Sequence, residues 1–159
     1  MNYDMMRRNR MSNLSRFAVN LILLELFLLL IQFLIGMWMN LFAVFPSFSS
    51  SRFMYGMMQV MFSVPEIMIH MMNGILIGII SLMIFFTFAM KGDYAFSSLS
   101  ALASISILVA GIGGLEFMFS GFVNNIFSFI MSLGFIFTVT AYFLILYLVS
   151  QQNVSGHDR

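Results

Sequence analysis

The side chains that could carry chemistry in this chain follow one face of its second long apolar stretch. The first of them is Glu66. At 3.6 residues per turn, positions 4, 7, 8, 12 and 15 residues after Glu66 stay near the same side of a helix. Polar groups inside a membrane are costly, so we expect this face to pack against protein. The stripe comprises Glu66, His70, Asn73, Gly74, Gly78 and Ser81.

His70 is the residue of this stripe with the widest chemical range. A neutral imidazole can coordinate haem iron or copper, or relay protons, and a nearby carboxylate would fix its tautomer. Glu66 lies one turn away, and Glu116 is expected at about the same depth near the end of the third apolar stretch. The glycines at 74 and 78 leave a gap that suits a closely packed neighbour or a flat ligand such as a haem edge. In the simpler interpretation, His70 only hydrogen-bonds to Glu66 or Glu116 across a helix interface.

Methionines bracket His70 and suggest a second chemistry. The chain has 17 of them, and Met57 and Met58 precede the second apolar stretch. Thioethers together with an imidazole can bind Cu(I), so His70, Met57 and Met58 form a candidate metal site. The alternative is that methionine replaces leucine as an adaptable apolar filler, as it does elsewhere in this chain.

Two further polar residues lie within the first apolar stretch. Glu25 falls about 12 Å into the membrane at a rise of 1.5 Å per residue, and Gln32 and Gly36 share its face at offsets of 7 and 11 residues. This inner stripe could belong to a proton path or contact a ligand. As structure alone, a protonated Glu25 and Gln32 would bond to the neighbouring helices.

Composition and length determine the class of protein. The 159 residues are 61% hydrophobic and 8% charged, and their mean hydropathy is +0.99. This is far more apolar than a soluble domain, in which about a quarter of residues are charged. A spanning helix needs about 20 residues, so the chain has room for four crossings. We therefore predict an all-α integral membrane four-helix bundle, with residues 1–159 forming a single transmembrane domain whose helices cover about 17–40, 66–90, 97–119 and 126–150.

Charge and local composition add detail to this topology. Residues 52–65 place methionines at helical spacing, which is typical of a short helix lying in the membrane interface. Basic residues flanking the apolar stretches fall mostly on one side, with Arg52 alone on the other, so both termini are predicted to be cytoplasmic in a multi-pass protein of the cell membrane. The residues on the cytoplasmic side are Arg7, Arg8, Arg10, Arg16, Lys91 and Arg159.

Small residues indicate how the helices pack and with what. Ser106, Ala110 and Gly114 recur every four positions, so a neighbouring backbone can approach closely along this stripe. We expect contacts with the lipid bilayer and with other membrane subunits or a second copy through such faces. No basic patch is interleaved with aromatics, so nucleic acid is not an expected partner. No phosphate loop, HExxH motif or Ser/His/Asp set is present, which argues against a hydrolase or NTPase.

Several segments together resemble a family of small, uncharacterised four-helix integral membrane proteins of archaea and bacteria. They are the segment QFLIGMWMNLF at 32–42 with Pro46, the His70-x3-Gly74-x3-Gly78 pattern, and Gly113-Gly114-x2-Phe117-x3-Gly121 leading into Ser128. The resemblance covers most of the chain. It implies the four-helix topology and supplies no activity.

A more distant resemblance is to one half of the haem A synthase fold. There the second helix begins with a glutamate before a haem-ligand histidine and spaced glycines, an outline that Glu66, His70, Gly74 and Gly78 follow. In that family the glutamate precedes the histidine by three positions, an arginine follows the histidine, and the fourth helix brings a second histidine; none of these is matched here. The resemblance implies haem held by one protein ligand, a site shared across an oligomer, or a non-catalytic descendant.

From these features we predict a non-enzymatic protein that holds haem or serves as an accessory or assembly component of a respiratory membrane complex. Its site would be a polar pocket around His70 at the outer face, with Glu66, Asn73 and Glu116. One alternative is a purely structural or interaction subunit without a ligand. The other is an outer-face Cu(I)-handling protein that uses His70 and methionines.

Overall fold

A computed structural model describes residues 2–45 and 62–155, and the side chains of residues 16–45 and 62–151. The described chain is all-α. Its four long helices are α1 Asn2–Phe42, α2 Pro65–Ala89, α3 Tyr94–Phe119 and α4 Asn125–Ser155.

The four predicted helices are confirmed, and the first and last are longer than predicted. Helix α1 begins at Asn2 and α4 continues to Ser155, because polar residues can extend a helix beyond the apolar segment that the membrane requires. The predicted interfacial helix at 52–65 lies mostly outside the described residues. Met57 and Met58 are also outside the described residues.

Each helix has a segment long and apolar enough to cross a membrane. At 1.5 Å per residue, 25 to 27 residues extend about 38–40 Å, more than the roughly 30 Å of the hydrocarbon layer. Large apolar side chains are exposed along all four helices, as lipid contact requires. The chain is therefore a small multi-pass membrane protein. The spans are Arg16–Phe42, Pro65–Ala89, Tyr94–Phe119 and Asn125–Gln151.

The helices form a bundle in which each packs against the next along the chain. The α3/α4 interface is the most extensive, α4 returns to α1, and α2 lies diagonally across from α4. At one end, here called the terminal end, the Phe88 and Phe96 rings stack with centroids 5.2 Å apart, and Ala18 belongs to the same buried cluster. At the opposite end, the loop end, Phe45 and Phe122 pack around Val64 and Ile67.

Helix α3 ends in a Schellman motif. The Phe122 amide donates to the Phe117 carbonyl at 3.0 Å, and the Gly121 amide donates to the Met118 carbonyl at 3.0 Å. Gly121 has a φ of 69°, the left-handed conformation that glycine adopts without strain. Phe122 also has a positive φ of 63°, and its ring stacks on Phe45 with centroids 4.1 Å apart. This aromatic contact holds the turn at the loop end.

The α2–α3 turn at the terminal end follows its local sequence. Gly92 takes a φ of 70°, and the Asp93 carboxylate caps α3 by accepting from the amides of Ala95 and Phe96 at 3.1 and 3.3 Å. The Lys91 ammonium lies over the Phe88 ring, 5.7 Å from its centroid. These contacts form a tight turn at residues 91–93.

Small residues set the distance between α3 and α4. A Cβ on Gly134 of α4 would lie 2.6 Å from the Ser106 carbonyl oxygen and 2.7 Å from the Ala110 Cβ. A Cβ on Gly114 would lie 3.2 Å from the Met131 sulfur. The predicted close approach along this stripe is confirmed, and the neighbour that uses it is α4 of the same chain.

Candidate functional site

The side-chain amide of Gln32, on α1, bonds to the polar stripe of α2. Gln32 Nε2 donates to the backbone carbonyl of His70 at 3.0 Å, and Gln32 Oε1 accepts from Asn73 Nδ2 at 2.9 Å. Asn73 Nδ2 also donates to the Leu28 carbonyl of α1 at 3.1 Å. Both amides therefore bond across the helix interface, as the sequence indicated for residues that must face protein.

His70 lies against a glycine of α1. A Cβ on Gly36 would be 3.3 Å from His70 Cε1 and 3.9 Å from His70 Nδ1, so a larger residue at this position would require the ring to shift by a few tenths of an ångström. The ring is half-buried, and its Nδ1 is buried with no hydrogen-bond partner among the described residues. The carboxylate predicted to fix the tautomer is therefore not bonded to Nδ1.

The other predicted site residues of α2 and α3 differ in their exposure and in the space around them. Glu66 is half-buried and Glu116 is exposed. A Cβ on Gly74 would lie 3.3 Å from Gln32 Nε2, whereas nothing lies within 4 Å of a Cβ on Gly78. The gap predicted beside His70 is thus filled by Gln32 at Gly74 and is open at Gly78.

A second polar group, the serine–tyrosine cluster of Ser81, Ser104 and Tyr142, lies deeper in the bundle. The hydroxyls of Ser81 and Ser104 are 2.8 Å apart, and Ser104 Oγ also donates to the Ser81 carbonyl at 3.2 Å. The Tyr142 hydroxyl donates to Ser81 Oγ at 3.0 Å. All three residues are buried. Because α2 and α4 are diagonal, the tyrosine bond crosses the interior and links helices that do not pack directly.

Glu25 is fully buried in the same region of the bundle. Its exposed fraction is 0%, and neither carboxyl oxygen has a hydrogen-bond partner in the part of the chain that the structure describes. It lies within electrostatic range of Tyr142, in a core that includes Ile22, Ile77 and Ile145. Glu25 and Gln32 share a face of α1, but Gln32 bonds to α2 whereas Glu25 lies in the apolar core.

The described residues give no set of three His, Cys, Asp or Glu side chains that could jointly hold a metal ion. Within 16–45 and 62–151, His70 is the one histidine, and an imidazole nitrogen could bind haem iron or copper. The copper prediction also needs Met57 and Met58, which lie outside the described residues.

The sequence placed Ser81 on the polar stripe but did not single out Ser104 or Tyr142. Serines on α3 read as small packing residues, and Tyr142 stands among apolar residues near the end of α4. The signal that could have found the tyrosine is its hydroxyl, which needs a partner when it is buried in a membrane segment. The identity of that partner depends on the diagonal packing, which no spacing rule supplies.

Comparison with protein-family models, with curated proteins and with solved structures found no match. The resemblances drawn from the sequence segments therefore remain predictions.

Proposed function

We propose that this protein is a non-enzymatic accessory or assembly component of a membrane complex, with both termini in the cytoplasm. The observation that carries the proposal is the Gln32 amide, which bonds to Asn73 and to the His70 carbonyl. These bonds use the Asn73 side chain and the His70 backbone carbonyl of the polar stripe to hold α1 against α2. Intramembrane polar groups of this kind fix helix packing, and they supply no reacting group by themselves.

We place the proposed complex in a respiratory membrane. This part of the proposal rests on the resemblance of Glu66, His70, Gly74 and Gly78 to half of the haem A synthase fold. The assignment of the termini rests on the excess of basic residues beside them and in the α2–α3 turn. The exposed apolar surface of all four helices supports contact with lipid and leaves room for neighbouring membrane subunits.

The experiment for the accessory role is purification of the tagged protein from its native membrane in mild detergent, after brief cross-linking. We expect defined membrane subunits to be recovered in a constant ratio to the tagged chain. The Glu25→Gln variant should recover the same proteins in the same ratio, because Glu25 is buried inside the bundle. Recovery of the chain alone, with cross-links only to lipid, would refute this role.

A competing proposal is that His70 holds haem or Cu(I). Its support is the buried and unpartnered Nδ1 of His70, since buried polar atoms normally have a partner. Two contacts weigh against haem: Gln32 fills the space beside Gly74, and the imidazole packs on Gly36. A macrocycle edge at either position would have to displace α1. Bound copper lost in both His70→Ala and a Met57/Met58 double variant would support the copper form.

A further inference from the structure

Four helices bring polar side chains to one depth of the bundle around Glu25. Glu25 is nine residues from the span limit at Arg16, Tyr142 is nine from Gln151, and Ser81 is eight from Ala89. At 1.5 Å per residue these positions are all about 12–14 Å from the terminal end. Ser104 of α3 reaches the same level through its bond to Ser81. The layer therefore has one member from each helix.

Within this layer, Glu25 differs from the other residues in having no hydrogen-bond partner within the described ranges 16–45 and 62–151. The hydroxyls of Tyr142, Ser81 and Ser104 are bonded to one another, whereas both carboxyl oxygens of Glu25 are buried and unpartnered. A buried polar atom without a partner is rare in a native structure and calls for an explanation. A carboxylate in that position would also be an unpaired charge in a membrane interior, which is costlier still.

The surroundings of Glu25 identify the ligand class. Divalent cations such as Ca²⁺ and Mg²⁺ need six or more oxygen ligands, but among the described residues no hydrogen-bonding group pairs with the Glu25 oxygens. A proton needs only one of those oxygens. Among the described residues, Tyr142 of α4 is the titratable group that interacts electrostatically with Glu25, while α2 and α3 bring the neutral Ser81 and Ser104 to this depth. No cation on these faces competes with a proton.

We propose that Glu25 is an exchangeable proton-binding site at the centre of the bundle. The protonated carboxyl is compatible with the observed packing of α1. The ionised form requires a donor that this packing does not provide, so releasing the proton requires α1 to shift or water to enter the layer. Glu25 thereby links proton occupancy to the position of α1. This site is independent of the accessory role, and either proposal can fail without the other.

Infrared spectroscopy of the protein in lipid vesicles tests the proposal without any assay of activity. The chain has three glutamates, so a Glu66→Gln/Glu116→Gln variant made with ¹³C-glutamate leaves Glu25 as its one labelled carboxyl. Buffers from about pH 5 to about pH 10 cover the range in which buried carboxyl groups titrate. We expect a protonated C=O band that shifts in D₂O, loses most of its intensity at alkaline pH, and is missing from Glu25→Gln.

Three results would overturn the proposal. A band of constant intensity that does not shift in D₂O would make Glu25 a permanently protonated packing residue. Absence of any protonated band at acid pH would show that the group is ionised throughout. A carboxylate band that responds to sodium and not to pH would assign the site to a metal cation. Because the double variant keeps Glu25 in place, none of these readings depends on the folding of Glu25→Gln.

Discussion

Gln32 Oε1 of α1 accepts a hydrogen bond from Asn73 Nδ2 of α2 at 2.9 Å, and the same Asn73 nitrogen donates to the Leu28 carbonyl at 3.1 Å. This pair fixes the rotation of α1 against α2 because each amide matches a partner on the opposite helix. It also places the Gln32 nitrogen beside Gly74, in the space that the sequence had assigned to a ligand or a close neighbour.

The first prediction concerns the coupling between these two amides. Asn73→Ala and Gln32→Ala should each lower the free energy of unfolding by about 1–2 kcal/mol, because each leaves a partly buried partner unbonded. The double variant should cost less than the sum of the two single variants, by about 0.6–1.7 kcal/mol. Unfolding by SDS in mixed micelles measures all three. Strict additivity would show that the two side chains do not interact, and Gln151→Ala at an exposed position serves as control.

The second prediction uses two glycines of the α3/α4 region. Gly134→Ala puts a methyl group 2.6 Å from the Ser106 carbonyl oxygen, so the helices must separate, at a cost of about 1–3 kcal/mol. Gly111→Ala is the matched control, because nothing lies within 4 Å of its Cβ. It should be neutral or stabilising by up to about 1 kcal/mol, the difference in helix propensity. Thermal unfolding of both variants in the same detergent tests the contrast. Equal losses at the two positions would contradict the packing described here.

These two interfaces illustrate how much of the fold the sequence predicted. The four helices follow from apolar runs, and a close approach along one face of α3 follows from small residues spaced by four. Which helix would occupy that stripe could not be predicted, because the spacing is the same for an intramolecular and an intermolecular neighbour. Similarly, Glu25 and Gln32 were predicted on one face of α1, but the different environments of the two depend on how the bundle closes.

The third prediction ranks the losses of stability caused by two substitutions in the serine–tyrosine cluster. Tyr142→Phe removes one hydrogen bond and leaves the Ser81–Ser104 pair intact, so it should cost about 0.6 kcal/mol. Ser81→Ala removes the acceptor of the Tyr142 hydroxyl and leaves that hydroxyl unpaired in the core, at a cost of about 1–3 kcal/mol. Unfolding in mixed micelles should therefore rank Ser81→Ala as the more harmful change. The reverse order would rule out the bond that crosses the bundle.

The fourth prediction concerns the orientation of the chain in the membrane. The natural sequence has no cysteine, so single-cysteine variants can be labelled without background. Tyr94 at the terminal end is 91% exposed and Val123 at the loop end is 78% exposed. In intact cells, a membrane-impermeant maleimide should label Val123→Cys and should label Tyr94→Cys only after permeabilisation. The opposite pattern would invert the proposed topology.

The sequence predicted which residues of α2 form the polar stripe, but not which residues they contact. His70, Asn73 and Gly74 do meet α1, as an intramembrane polar stripe must. The partners were predicted to be carboxylates, whereas the structure brings Gln32 and Gly36 to this stripe. The depth of Glu116 can be counted from the sequence, but the rotation of α3 that leaves it exposed cannot.

The central proposal is that the polar residues around His70 serve to hold the helices together, so that the protein needs no prosthetic group there. The most direct measurement is a reduced-minus-oxidised visible spectrum, with metal analysis, of the protein purified in mild detergent from its native membrane. We expect no haem bands and no stoichiometric copper, and we expect His70→Ala to leave the spectrum unchanged while lowering thermal stability. A Soret band at near-stoichiometric haem that disappears in His70→Ala, with the fold retained, would contradict the claim and make His70 an axial ligand.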